Sequence, residues 1–352
     1  MSNIQDVARH AGVSTSTVSN VLNRRTDRMR EGTLARVQAA IAALDFVPNR
    51  AARQLKTGHT PMLGLLVPSI ANPMYGFIAR EIEAAAQERH GFRVLLGNTY
   101  RDAQKEAGFF DDLLAHGVRG VVVVSSLADE RHIESAARRG LVVVSYDRRA
   151  SAPTGAGIDH ISVDNAEAAR LATQHLIEHG HTRLAFATVS GKTLSRSEKI
   201  GGFLGAARHA GLAANAARVV EARVASAYGD AEMADAGRTL AARLARGGRG
   251  AARPTAVVAL NDMLALGLMA GFREAGLAVP ADVSVIGMDD LFLAPLAEPA
   301  LSSVRLPIAE MARIIVERVI ARLADPGIAA AEFIFAPELV ARRSVAPPRT
   351  KG

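Results

Sequence analysis

Residues 8–20 read Ala8-Arg9-His10-Ala11-Gly12-Val13-Ser14-Thr15-Ser16-Thr17-Val18-Ser19-Asn20. Gly12 lacks a Cβ and suits the left-handed turn that ends a helix. Ser14, two residues on, is placed to N-cap a second helix. Two short helices about a tight Gly turn form a helix-turn-helix unit, whose second helix is the one that enters a DNA major groove. Outward from this run, Ile4, Val7, Ala8 and Ala11 share one face of the first helix. Val18, Val21 and Leu22 share a face of the second. After Arg30-Glu31-Gly32, the spacing of Leu34, Val37, Ala40, Ile41 and Leu44 predicts a third helix on the same small core. The far face of the second helix carries Thr15, Ser16, Ser19 and Asn20, short hydrogen-bonding side chains suited to base edges and phosphates. The same pattern also fits a plain solvated helix face.

The chain has 352 residues, enough for a small domain plus a large one. Its charge is uneven. Residues 1–60 hold nine Lys/Arg against four Asp/Glu, five of the seven net positive charges of the whole chain. That asymmetry points to a polyanionic partner at the N-terminal end. There is no Cys, which excludes disulfides and Cys-based metal sites. No apolar run reaches the ~20 residues of a membrane span, and no charged-then-apolar leader pattern opens the chain. The expected compartment is the cytoplasm, with no membrane partner.

The run Asp6-Val7-Ala8, Ala11-Gly12-Val13-Ser14, Thr17-Val18-Ser19, Val21-Leu22-Asn23, then Phe46-Val47-Pro48-Asn49 and Ala52-Arg53-Gln54-Leu55, is dense and ordered over more than fifty positions. It resembles the headpiece of the lactose/galactose repressor (LacI/GalR) family of bacterial transcription regulators. The resemblance implies that Thr15, Ser16 and Asn20 read bases. The wider set expected to contact DNA adds Ser14, Thr17, Ser19 and Asn23. Pro48–Lys56 is only about two turns, too short for a stable helix alone. It resembles the family's hinge helix, which pairs across a dimer in the minor groove. Asn49, Arg50, Arg53 and Lys56 would then contact DNA, and Leu55 would be the apolar wedge that unstacks a base step. On residues alone, the segment also reads as a linker with Leu55 as a buried anchor.

Thr57-Gly58-His59-Thr60-Pro61 marks a boundary. From Met62 short apolar runs alternate with amphipathic stretches, the pattern of parallel strands covered on both faces. One series is expected as strands 63–67, 92–96, 118–124 and 141–145 with helices 74–89, 103–116 and 130–139. A second has helices 165–179, 198–210, 230–246 and 262–275 with strands 184–188, 218–221, 256–260 and 283–286. The expected fold is an N-terminal all-α helix-turn-helix headpiece with a hinge helix, then an α/β, periplasmic-binding-protein-like core of two doubly wound parallel-sheet subdomains. The expected boundaries are 1–47 for the headpiece, 48–60 for hinge and linker, and 61–344 for the core. Within the core, subdomain one covers 61–160 plus 291–323 and subdomain two 161–290 plus 324–344. Residues 345–352 are a tail, expected to be disordered. Helix 308–323 and strand 332–335 resemble the family's crossover pieces. The basic, Gly-rich run Arg243–Pro254 reads as a solvated loop. No terminal Leu heptad follows, so a homodimer is the simplest assembly.

Ligands of open α/β sheets bind outside the carboxyl ends of the strands, so two facing subdomains would share one cleft. Ser69, Asn72 and Tyr75 follow the first strand, and the family resemblance places this loop in the cleft, with the Tyr75 ring able to stack on a sugar or base. By the same resemblance Asp147, after Tyr146, is an acidic ligand contact. Asn261 and Asp289 follow two later strands, and Asp289 is the leading ligand candidate. The neighbouring Asp262 and Asp290 read equally well as capping or structural residues. The family usually has Arg three residues before a Gly-aromatic pair; here Lys199 holds that place in Lys199-Ile200-Gly201-Gly202-Phe203. Lys is a flexible point charge and Arg a rigid fork, and Arg196, one turn earlier, is placed to supply the fork. The expected effector is a sugar, sugar phosphate, sugar acid or nucleobase.

No Ser/His/Asp order, phosphate-cradling Gly loop or metal cluster accompanies these residues. No catalytic residue, metal or cofactor is expected; His175 and His179, four apart, lack a third ligand. The expectation is a dimeric, ligand-responsive repressor on a near-palindromic DNA operator. The alternative is a solute-binding or sugar-processing protein with an accessory DNA-binding domain.

Overall fold

In the computed structural model, which describes residues 2–22, 26, 29–46, 61–125, 127, 129–149, 157–191, 193–224, 230–246 and 253–349, helix α1 (Ile4–Ala11) opens on a capping box. The Asn3 side chain accepts from the N–H groups of Gln5 (2.8 Å) and Asp6 (3.1 Å), and the Asp6 carboxylate accepts from the Asn3 N–H (3.0 Å). Gly12 ends the helix at φ 63°, where a Cβ would be strained. The Ser14 Oγ then accepts from the Thr17 N–H at 3.2 Å and caps α2 (Thr15–Leu22). Helix α3 (Glu31–Ala43) closes the core, in which Val7, Val18 and Val37 are fully buried beside Ala40 and Phe46. The chain divides into two units, residues 1–60 and 61–352. The expected hinge helix lies outside the described residues.

The second unit begins with β1 (Met62–Val67), α4 (Pro73–His90), β2 (Arg93–Asn98), α5 (Ala103–Ala115), β3 (Gly120–Val124), α6 (Arg131–Arg138), β4 (Val142–Tyr146) and β5 (Asp159–Val163). It continues with α7 (Asn165–Glu178), β6 (Leu184–Val189), α8 (Leu194–His209), β7 (Ala217–Ala222), α9 (Asp230–Ala245), β8 (Ala256–Ala259), α10 (Asp262–Glu274) and β9 (Ser284–Ile286). The return segments are β10 (Ser303–Arg305), α11 (Ile308–Ala324), β11 (Glu332–Phe335) and β12 (Glu338–Val340). Two parallel sheets result, ordered β11-β5-β4-β3-β1-β2 and β7-β6-β8-β9, while β10 and β12 pair antiparallel. Alternation along β1 shows the double winding. Leu63, Leu65 and Val67 face Ile78, Ile82 and Ile315, whereas Leu66 faces Phe110, Leu113 and Ile133.

The structure departs from expectation in several places, including the unexpected short strands β10 and β12. Strand β5 is absent from the expected elements, because Asp159 and His160 interrupt its apolar pattern. Asp159 is wholly buried and accepts from Arg318 (2.7 Å), Arg322 (2.7 Å) and the Ala331 N–H (2.9 Å). Its partners are far along the chain, so no local signal announces the strand. The expected subdomain boundaries also shift. Strand β11 pairs with β5 in the first sheet rather than joining subdomain two, and Ala294, Leu301 and Val304 pack in the second core rather than the first. Helix α8 starts four residues early because the Thr193 side chain caps it, accepting from the Arg196 N–H at 3.3 Å. Finally, the tail is docked through Arg349. Ala346 bonds Ser284 and His181, and Arg349 pairs with Asp282 at 2.8 Å.

Candidate functional site

On α2 the Thr15, Ser16 and Asn20 side chains are exposed, while Val18 turns into the core. Thr17 and Ser19 are half-buried at the edge of that face. The Ser14 hydroxyl sits 2.7 Å from Ser16 Oγ and 2.9 Å from Thr17 Oγ1, so it organises the helix start as well as bordering the face. Asn23, Asn49, Arg50, Arg53, Leu55 and Lys56 lie outside the described residues.

In the second unit a cleft, partly open to solvent, lies between strand ends of both sheets. Asn72, Tyr75, Asp147, Arg196, Lys199, Asn261 and Asp289 all line it. Ser69 does not: it is buried, and its Oγ accepts from the Ala71 N–H at 3.2 Å, folding its own loop. Asn72 and Asn261 cap the helices that follow them, accepting from the N–H groups of Met74 (2.8 Å) and Leu264 (2.9 Å). What each offers a ligand is therefore its amide N–H₂. The Lys199 Nζ donates to the Leu260 carbonyl at 3.4 Å, which holds it over the cleft rather than in solvent.

The two aspartates candidate for ligand contact stand on unusual backbone. Asp147 has φ 63° and Asp289 φ 116°, fixed by N–H bonds of 2.9 Å to the carbonyls of Ile161 and Val304. Positive φ at non-glycine residues costs about 1–3 kcal/mol each and gathers at ligand sites. Asp262 and Asp290 are structural, although Asp290 also has a positive φ of 51°. Asp262 is fully buried and accepts from the Leu291 N–H (2.7 Å) and the Ser303 hydroxyl (2.6 Å). Burial, then the Asp289 charge, pushes its carboxyl well above the ordinary range. Gly287 is needed beside it, since a Cβ there would stand 2.1 Å from Asp262 Oδ1. Asp290 is paired with Arg305 (2.8 Å) and Arg342 (2.6 Å).

Sequence reasoning missed Arg101 and Asn165. Arg101 follows β2 at φ 55°, lines the cleft and donates to the Tyr75 phenol at 3.1 Å. The rule of strand carboxyl ends would have found it. Asn165, buried in the cleft wall, donates to Asp147 (3.2 Å) and Glu198 (3.1 Å). It was invisible because β5, which delivers it, was invisible. His175 and His179 stack edge-on at 4.4 Å, and no metal-binding group occurs among the described residues.

Residues 3–49 match the model of bacterial regulatory proteins of the lacI family, and residues 173–345 that of the periplasmic binding protein-like domain. The chain is 30% identical to the HTH-type transcriptional regulator GalR of Escherichia coli (strain K12) over 355 residues, 99% of this chain and 97% of that one. It is 32% identical to the HTH-type transcriptional repressor PurR of Photobacterium profundum, covering 98% and 99%. The fold is that of the lac repressor dimer bound to operator and the anti-inducer ONPF, with TM-score 0.81 and 24% identity over 98% of this chain and 99% of that one. The transcriptional regulator CelR–cellobiose complex superposes with TM-score 0.67 and 27% identity over 98% and 100%. A helix-turn-helix headpiece joined to a two-sheet cleft defines a ligand-responsive, DNA-binding transcription regulator. The chain belongs to the LacI/GalR family.

Proposed function

We propose that this regulator is a repressor that binds a near-palindromic operator as a homodimer, with a sugar or sugar derivative in the cleft setting its DNA affinity. The carrying observation is that polar residues scattered from Asn72 to Asp289 converge on one cleft fed by both sheets, in a chain whose α2 exposes Thr15, Ser16 and Asn20. The lac repressor relative is a dimer on operator, and the CelR relative holds cellobiose, which supports both halves of the reading. Phe292 and Leu296 are 70% and 74% exposed, apolar surface of the kind a second copy would cover. Residues 1–47 serve as the headpiece, and 48–60 transmit cleft closure to it, a coupling of about 1–3 kcal/mol. The protein acts in the cytoplasm and without catalysis, as its regulator relatives suggest; among the described residues no helix is long and apolar enough to cross a membrane.

The test is operator selection with the purified chain, followed by gel shifts with and without candidate sugars. Asn20→Ala and Ser16→Ala should each cost about 1–3 kcal/mol at one operator position and leave non-specific binding intact. Equal loss on all DNA would count against base reading. Asp289→Ala should abolish the ligand response with operator binding retained; a normal response would move the effector elsewhere.

A further inference from the structure

Resting on the reading of the cleft as the effector site, we propose that Glu198 is a positioning residue for the effector contact Asp147. Its carboxylate acts through Asn165 to fix the Asp147 carboxylate across the seam between the two subdomains. Asn165 is 1% exposed, and its amide nitrogen donates to Asp147 Oδ1 at 3.2 Å and to Glu198 Oε2 at 3.1 Å. Ionised carboxylates only accept, so the amide turns its N–H₂, and not its oxygen, toward both. Both N–H groups are then spent, one on each carboxylate. The Asp147 bond alone would leave the amide free to swing. The Glu198 bond fixes its plane, and with it the direction in which Asp147 faces the cleft.

The three residues span the seam. Asp147 follows β4 of the first sheet, whereas Asn165 opens α7 and Glu198 lies on α8, two helices that pack in the second core through Ala168, Ala169, Phe203 and Ala207. Glu198 stands this close to Asn165 because Gly202, one turn further along α8, lets the helices touch: a Cβ there would lie 2.0 Å from the Ala166 carbonyl oxygen. Arg149, two residues after Asp147, draws the same seam together, with its guanidinium 3.1 Å from Asp164 and 3.8 Å from Glu198. Burial raises the Glu198 carboxyl above its ordinary value of 4.5; the Asn165 bond and the Arg149 charge oppose the rise, and the Asp147 and Asp164 charges add to it. When ionised, Glu198 makes a charge-assisted bond to Asn165, roughly twice as strong as the neutral one that protonation leaves. Effector affinity is therefore full above the folded value of that carboxyl and falls as pH drops through it.

The test takes the full chain and two measurements. In the first, with asparagine nitrogen-labelled and no ligand present, NMR follows the Asn165 side-chain amide, assigned by its loss in Asn165→Ser. The amide should show a pH step with a midpoint above 4.5, the ordinary carboxyl value. Glu198→Gln, which keeps an acceptor but cannot ionise, should remove that step. No step, or one that persists in Glu198→Gln, would overturn the proposal. In the second, D-galactose, D-glucose 6-phosphate, D-gluconate and adenine are titrated calorimetrically between about pH 8 and about pH 5, across the range of a raised carboxyl. A probe that binds should lose about three- to tenfold in affinity in Glu198→Gln at the upper end, the difference between a charge-assisted and a neutral bond. The two proteins should converge at the lower end. A loss constant with pH would make Glu198 merely structural and overturn its role. Affinity sensitive to Asp147→Ala yet indifferent to Glu198→Gln would overturn the positioning and leave the effector cleft standing. Affinity indifferent to both Asp147→Ala and Asp289→Ala, or failure of every probe to bind, would count against the cleft reading, and the amide titration would still decide whether Glu198 acts on Asn165.

Discussion

The headpiece and the cleft unit handle polar side chains in opposite ways. Along α2 the candidate base-reading side chains, Thr15, Ser16 and Asn20, are neutral, exposed and within six residues of one another, and the core beneath them is apolar. In the second unit charges are taken inside: Asp159 between Arg318 and Arg322, Asp262 beneath Leu291, Arg196 beneath three carbonyls. The first arrangement tolerates change at its surface. The second ties stability to pairing between distant parts of the chain, because each buried polar or charged group needs a partner that folding supplies.

That contrast can be tested unit by unit, since all four tyrosines (Tyr75, Tyr100, Tyr146 and Tyr228) lie in the second unit and there is no Trp. Tyrosine fluorescence therefore follows the second unit, and far-UV circular dichroism follows both. The largest effect is expected from Asp159→Ala, which strips the half-buried Arg318 and Arg322 of their shared, fully buried carboxylate and should cost about 3–5 kcal/mol. Urea unfolding followed by tyrosine should shift accordingly, and headpiece binding to operator half-sites should not change. A small shift would mean that the pocket rehydrates freely.

Next is Asp262→Ala, which leaves the Leu291 N–H and Ser303 hydroxyl without their acceptor, at about 1–3 kcal/mol for each. Asp262→Asn keeps an acceptor and isolates the charge. The folded carboxyl is raised above its ordinary value of 3.8. Its contribution is therefore full below that value and is lost as pH rises through the folded one. Relative to wild type, Asp262→Asn should thus gain stability with rising pH; a pH-independent difference would contradict the buried charge. The smallest effect is expected from Asn3→Ala. It removes one helix cap, at about 1 kcal/mol, and should weaken operator binding while leaving ligand affinity unchanged.

The headpiece was legible in sequence because its determinants are local. Gly12, Ser14 and the spacing of Val7, Ala11 and Val18 each act within one or two helical turns. Most of the cleft was legible too, but through the rule of strand ends and a family resemblance rather than through local chemistry. That route named Ser69, whose hydroxyl is used within its own loop, and passed over Arg101.

Sequence alone thus determined the helix-turn-helix and the doubly wound core, since short-range periodicity and capping carry that information; it offered the candidate aspartates only through the rule of strand ends and a family resemblance. Tertiary structure alone decided which aspartates line the cleft. Asp262 and Asp289 look alike in the chain; one is silenced by Leu291 and Ser303, and the other is held toward the cleft by the Val304 carbonyl. It alone decided the place of β5 as well, because a carboxylate inside a strand is tolerable only where Arg318 and Arg322, more than 150 residues away, come back to meet it.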